Sequence, residues 1–321
     1  MTRTIWLASH PKSGNTWFRM MVANLLANSG APIDINDPPG IGPHACAREP
    51  FDHLLMIDSG LLTHDEIDCL RPRVYEELAR GGADEEEGNA LGRPVRFMLV
   101  HDAYQLTPKG EPLLGGGRGA GGAILIVRDP RDVAPSLANH MRVSIDRAIE
   151  MMDEGQRESR IAPDRQHRLL RQRSMGWSGH ALSWLEQTDL PVCIVRYEDM
   201  RADTPGVFAR ALEFAGVSAG DEAIRQAVGF ADFAELRRQE QTHGFRERPI
   251  QPGGAFFRRG EAGAWRDELN GAQVARIEAA HAPMMHRLGY GPRGAEPLTD
   301  SRSAALRSSW SGPSLGLKSS P

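Results

Sequence analysis

Lys12 lies in the run Ser9-His-Pro-Lys-Ser-Gly-Asn-Thr-Trp17, between a short apolar stretch, Thr4 to Ala8, and a segment with apolar residues at Phe18, Met21, Val22, Leu25 and Leu26. The first pattern predicts a strand and the second a helix that begins near Thr16. A small-residue turn there leaves the first backbone N–H groups of the helix unpaired at the positive end of its dipole. An anion suits that position, and Lys12 adds a full charge beside it. Arg128-Asp-Pro-Arg-Asp132, followed by Ser136, is a second candidate anion site, because a guanidinium fork matches phosphate oxygens in pairs and a hydroxyl adds a donor. His101 is the candidate base, since an imidazole titrates near neutrality and can take a proton from a nucleophile.

The elements that must position these groups are apolar runs: Val95 to Val100, Ala123 to Val127 and Val192 to Val195. Strands apolar throughout are covered on both faces, and strands alternating with helices imply a parallel sheet with right-handed crossovers. The expected class is α/β, a central parallel sheet flanked by helices. Ligands bind beyond the carboxyl ends of such strands, where Lys12 to Trp17, His101-Asp102 and Arg128 to Ser136 all fall. Helical patterns are expected over 61–78, from Val133, over 177–187 and 205–215, and again near 221–228 and 230–238. Residues 31–48 read as irregular, 81–92 as an exposed acidic loop, and 115–122 as a flexible glycine-rich turn. The charged stretch 144–172 is expected to be a helical, mobile cover. One domain over 1–290 and a disordered tail over 291–321 complete the expectation.

Composition excludes several classes. Across 321 residues, 40% hydrophobic and 25% charged content is ordinary for a globular chain, and 38 basic against 42 acidic side chains give a net charge of -4. That balance argues against a general nucleic-acid partner. Cys46, Cys69 and Cys193 are odd in number and widely spaced, so they suggest neither a disulfide framework nor a metal knot. No apolar run is long enough for a membrane helix, and the N-terminus lacks a signal-peptide layout. The expectation is a cytoplasmic protein with no membrane partner and no metal.

The Lys12 loop departs from the Walker phosphate loop, in which the Lys follows the second Gly. Pro-Lys-Ser-Gly-x-Thr-Trp instead resembles the loop of the sulfotransferases that use 3'-phosphoadenosine 5'-phosphosulfate (PAPS), of the cytosolic type and like the bacterial members. Val127-Arg-Asp-Pro-Arg-Asp-Val-Ala-Pro-Ser136 is similar to the family segment that reads the 3'-phosphate, and Phe256-Phe-Arg-Arg-Gly-Glu-Ala-Gly-Ala-Trp265 resembles the loop that folds over it. The resemblance implies a fold related to the P-loop nucleotide kinases. It implies PAPS as donor and adenosine 3',5'-bisphosphate (PAP) as product, with transfer to a hydroxyl or amine of a small-molecule acceptor. Lys12, Ser13, Gly14, Asn15, Thr16 and Trp17 would hold the 5' end, and Lys12 would stabilise the leaving phosphate. Arg128, Ser136, Arg258, Arg259 and Gly260 would hold the 3'-phosphate. Trp17 and Tyr197 would flank the adenine, with Phe256 in the same loop, although aromatics at these positions equally suit a core. Arg131 and Asp132 would face solvent or form an ion pair. His101 would be the base.

Some positions depart from the family pattern. Leu99 replaces the Lys of Lys-x-His, Arg259 replaces a Lys, and Ala264 replaces an Asp. The family's dimerisation pattern would fall at Arg266 to Ala275, where only the basic first position survives, so monomer and dimer both stay open. Segments 31–60, 79–92 and 144–175, with Arg142, Arg147, Arg157 and Arg160, are expected to build the acceptor pocket. Two rivals remain: a nucleotide or adenylylsulfate kinase, and a non-catalytic adenosine-bisphosphate-binding protein.

Overall fold

The computed structural model describes residues 3–80, 95–161, 167–248 and 254–291, so the acidic loop expected over 81–92 and nearly all of the expected tail lie outside the described residues. Six strands occur among them: β1 (Arg3–Ser9), β2 (Val95–Val100), β3 (Gly122–Val127), β4 (Glu158–Ser159), β5 (Gln172–Arg173) and β6 (Val192–Arg196). β1, β2, β3 and β6 form one parallel sheet in the order β2-β1-β3-β6. β4 and β5 pair separately as a two-residue antiparallel ribbon.

Strand side chains alternate between faces, and both faces are buried here. Trp6, Ala8, Met98, Val100, Leu125 and Val127 pack on one side with Tyr75, Trp177 and Trp184. Ile5, Leu7, Phe97, Ile124 and Ile126 pack on the other with Phe18, Met21, Leu25 and Phe208. This double covering is why β1, β2 and β3 read as apolar runs. β6 was expected to be buried as well, but it is an edge strand, and Ile194 is 37% exposed.

Several other segments depart from expectation. Residues 41–45 run along the free edge of β2, with Gly42 N–H donating to Phe97 O at 2.8 Å and Ala45 N–H to Leu99 O at 2.8 Å. A helix spans Arg48–Leu55 where none was expected. Among the described residues of the charged stretch only Ile145–Asp153 is helical, capped by the Ser144 side chain; Gly155 follows and the chain turns into β4 of the β4–β5 ribbon. Gly116–Gly119 forms a helical turn rather than a loose one. A Cβ at Gly119 would lie 2.5 Å from Leu114 O, so glycine is required there for close packing.

Asp102 ties β2 to the helix His64–Arg80. Its buried carboxylate accepts from Arg71 Nη2 at 2.8 Å and from Arg173 N–H at 2.7 Å, while its carbonyl accepts from Trp184 Nε1 at 3.1 Å. Removing one partner of a buried ion pair strands the other charge. Asp102→Ala is therefore expected to cost roughly 3–5 kcal/mol in urea unfolding. A loss below about 1 kcal/mol would show that Asp68, which also contacts Arg71, suffices alone.

Candidate active site

Parallel register sets the ends of the inner strands level. Ala8 stands opposite Val100, and Ser9 opposite Ile126. His10, His101 and Arg128 therefore emerge along one edge of the sheet, beside a cavity of about 1440 Å³. Lys12, Gly14, Asn15, Thr16, Trp17, His101, Arg128, Ser136, Tyr197, Phe256, Arg258, Arg259 and Gly260 all line it. Ser13 alone of the expected residues does not; it is buried beneath the loop.

The loop is held by its own side chains. Asn15 Nδ2 donates to Leu7 O at 2.8 Å and to Ser9 Oγ at 3.1 Å, tying the helix start back onto β1. Gly14 caps the helix Asn15–Ala27 in the left-handed region at φ 103°, and no side chain caps it. A Cβ there would come within 2.6 Å of the Tyr197 ring, so both conformation and space require glycine. Lys12 is also left-handed, at φ 71°, a conformation uncommon for a side chain of its length. Ser13 Oγ, Asn15 Oδ1 and Arg128 Nε are buried without a hydrogen-bond partner among the described residues. Buried polar atoms are seldom left unpaired, and of these Arg128 Nε is a donor on a residue that lines the cavity, where it fits an oxygen-rich ligand.

Charge is concentrated here. Lys12 Nζ lies 3.8 Å from the centre of the Phe256 ring. Burial, and then the nearby Arg128, lower its pKa to about 8. Arg128 stacks on Tyr197 at 4.3 Å and donates to Glu261 O at 2.8 Å and Lys12 O at 3.4 Å. Trp17 packs edge-on against Tyr197, with ring centres 5.8 Å apart, and its indole N–H donates to Ala231 O at 3.0 Å. Both aromatics thus serve the core and the cavity wall together.

His101 Nδ1 lies 2.7 Å from Ser9 O. A carbonyl only accepts, so Nδ1 carries the proton and Nε2 keeps a lone pair. Burial lowers the His101 pKa, so the ring is neutral near pH 7. A neutral imidazole with an unprotonated Nε2 can accept a proton.

The second loop is already engaged. Arg258 forms a two-pronged pair with Glu268, and Arg259 meets Glu261 at 2.9 Å and Asp267 at 3.2 Å. Gly260 is left-handed at φ 68° against Phe233. Arg131 and Asp132 do not face solvent. Arg131 is buried and pairs with Asp129 and with Glu278, each at 2.7 Å. Asp132 accepts from Gly263 N–H at 2.6 Å and Trp265 N–H at 2.8 Å, because its place one turn into the helix Pro130–Met141 aims it at the loop.

The family model described as "Sulfotransferase domain" matches residues 119–289. Cytosolic sulfotransferase 17 of Arabidopsis thaliana is 25% identical over 291 residues, covering 85% of this chain and 71% of its own length. Sulfotransferase 6B1 of Danio rerio is 32% identical over 101 residues, which is 31% of this chain and 32% of that protein. Among solved structures, mouse sulfotransferase SULT7A1 complexed with PAP superimposes with a TM-score of 0.53 at 17% identity, over 96% of this chain and 88% of its own. That likeness is one of fold.

Asp132 and Glu247 are the residues that sequence reasoning missed. Glu247 clamps Arg19 at 2.6 and 2.7 Å and accepts from Thr16 Oγ1 at 3.3 Å, pinning the chain near 247 to the Lys12 helix. Nothing in the local pattern around Glu247 signals a partner so distant in sequence. Asp132 stood in a motif already singled out, yet its partners are backbone N–H groups, which leave no trace in residue types. Asp132→Ala is expected to release the loop, with faster amide exchange at Gly263 and Trp265 and little change at β1. Unchanged exchange at both amides would show that the loop is held by Arg258 and Arg259 instead.

Proposed function

The chain belongs to the sulfotransferase family, and on that premise we propose that it transfers the sulfuryl group of PAPS to a hydroxyl, or an amine, of a small-molecule acceptor. His101 is the base and Lys12 stands at the leaving phosphate. The observation that carries this reading is the pairing of two groups on one cavity: an imidazole whose tautomer leaves Nε2 unprotonated, and a buried ammonium on the loop at the end of the neighbouring strand.

In the reaction, the acceptor oxygen or nitrogen attacks sulfur, and the bond from sulfur to the bridging phosphate oxygen breaks. The acceptor proton passes to His101 Nε2 and then to solvent, leaving a sulfated acceptor and PAP. Negative charge grows on the bridging oxygen as the bond breaks, and a fixed cation in a dry site stabilises it. Lys12 supplies that cation. Arg128, Ser136, Arg258, Arg259 and the Gly260 N–H suit the 3'-phosphate. The unpartnered Arg128 Nε supports this role, and the ion pairs of Arg258 and Arg259 open to admit the anion. The kinase rival needs magnesium and a Walker Lys, and this loop has no such Lys. Turnover driven by ATP and abolished by EDTA would sink the sulfotransferase reading.

His101→Ala is expected to lower kcat by about 10²- to 10⁴-fold, with PAP affinity by calorimetry nearly unchanged. Arg128→Ala should chiefly weaken PAP binding. An unaltered rate in the His101 variant rejects it as the base.

The pH profile carries opposite signs on its two sides. The base works above its pKa, which lies below the ordinary histidine value of 6.5, so the acid limb of kcat/KM for PAPS should fall below pH 6.5. The ammonium works below its own pKa, so activity should decline above about pH 8. Lys12→Arg, which keeps its proton, should move that alkaline limb upward; a limb that stays in place would assign it to another group.

A further inference from the structure

The wall of the cavity on the β2 side carries charge that the donor does not need. In the sheet order β2-β1-β3-β6, Arg128 and Tyr197 follow β3 and β6, whereas His101 follows β2. Beyond β2 lies the strip 41–45, and beyond that strip lie residues 157–161 and 167–174, joined to it by an Ala47–Leu169 bridge and by Leu170 N–H donating to Cys46 O at 2.7 Å. His44 links the two sides, with its ring 5.6 Å from that of His101. Residues 157–161 and 167–174 thus form the wall that an acceptor at His101 would meet.

The β4–β5 ribbon sorts its charges by face, as alternation requires. Glu158, Arg171 and Arg173 turn away from the cavity into a network with Asp65 and Asp68, including Arg171 contacts of 2.6 Å to each aspartate. That outer face is neutralised. Beside the ribbon, outside β4 and β5, the cavity wall is not: the exposed Arg160 and Arg168 line the cavity with no side-chain hydrogen bond or ion pair among the described residues. Among the described residues between positions 142 and 174 no Asp or Glu lines the cavity. The carboxylates that do line it are committed elsewhere: Asp132 to the loop amides, Glu247 to Arg19 and Glu268 to Arg258. Arg160 lies near enough to His44 and His140 to help hold both imidazoles neutral. Two cations without a carboxylate partner on the cavity wall, beside a ribbon whose own charges are paired, mark a place for an anion.

Resting on the sulfotransferase reading above, we infer that the acceptor bears an anionic group, a carboxylate or a phosphate, held by Arg160 and Arg168 while its hydroxyl or amine faces His101. Ser159, Gln172 and Ser174 offer polar partners on the same face. Leu99 and Leu169 provide the apolar part of the wall.

Two matched series test this on the full chain loaded with PAP: 4-ethylphenol, 4-hydroxyphenylacetate and 4-hydroxybenzylphosphonate; and methyl glucoside, glucuronate and glucose 6-phosphate. In at least one series a charged member should bind about tenfold or more tighter than its neutral parent at low salt, with the gap shrinking as sodium chloride is added. Carboxylate and phosphorus arms separate the two anion types. Arg160→Ala and Arg168→Ala should each cut the charged-to-neutral ratio in kcat/KM by about tenfold, with folding checked by thermal melting. Three results overturn the inference: neutral members binding as well as charged ones, no charged member binding in either series, or the arginine variants weakening PAP instead. PAP binding without an anion preference removes only this inference, whereas absence of PAP binding removes the sulfotransferase reading and this one with it.

Discussion

Ser9 O stands at the place where the sheet ladder runs out, and the state of the His101 imidazole depends on it. β1 is one residue longer at its end than its pairing with β2, which stops at Ala8 opposite Val100, while Ser9 is still paired with Ile126 of β3. The carbonyl on the β2 side therefore needs a donor, as buried backbone groups do, and His101 Nδ1 supplies it at 2.7 Å. The same residue offers its hydroxyl to Asn15 at 3.1 Å, so the strand end, the helix start and the imidazole are fixed against one another. A tautomer set by backbone geometry needs no carboxylate behind the histidine. Asp102, the obvious neighbour, is instead spent on Arg71.

The loops that carry Lys12 and Arg258, proposed to bind anions, follow a division between permanent and exchangeable partners. Asp132 binds backbone N–H groups from within the fold and so shapes the loop around Gly260 without competing for the arginines on it. Glu261, Asp267 and Glu268 hold Arg258 and Arg259 at partly exposed positions. Ion pairs in such places are worth about 1 kcal/mol or less, so exchanging them for a phosphate is inexpensive. Pre-pairing keeps long side chains near their working positions and limits the rotamer entropy lost on binding. Lys12 differs, because its ring contact with Phe256 is a weak substitute for hydration and burial has already lowered its pKa to about 8.

What could be read from the sequence was whatever physics writes into neighbouring residues. β1, β2 and β3 are covered on both faces and so appear as continuous apolar runs, and their ends carry the Lys12 loop, His101 and Arg128. The resemblance then tied these to the loop at Arg258. What could not be read depends on partners far along the chain. The strip 41–45 looks irregular because only its pairing with β2 makes it extended. The β4–β5 ribbon falls in a stretch expected to be helical, because its two-residue strands exist only through their pairing with each other, 158 with 173 and 159 with 172. Arg131 was expected to face solvent or form an ion pair; it does the latter, but one partner, Glu278, lies far along the chain, and the Trp265 ring covers it. Glu247 reaches Arg19 across 228 positions of sequence.

Histidines surround the cavity, and all of those shifted are shifted in one direction. Burial lowers His10 to about 3 and His140 to about 4, and it lowers His44 and His101 as well. Mutual repulsion and the arginines deepen the effect, so imidazoles near this edge add polarity without adding charge. That matters because the site already concentrates cations, and protonating the rings would raise the cost of holding them together without an anion. The same electrostatics runs in reverse when anionic charge enters. On the proposed reading, a phosphate beside Lys12 raises the pKa of its ammonium. The lowered value of about 8 in the empty cavity then moves back up when the donor is bound, so Lys12 keeps its proton at the point where the leaving phosphate gathers charge.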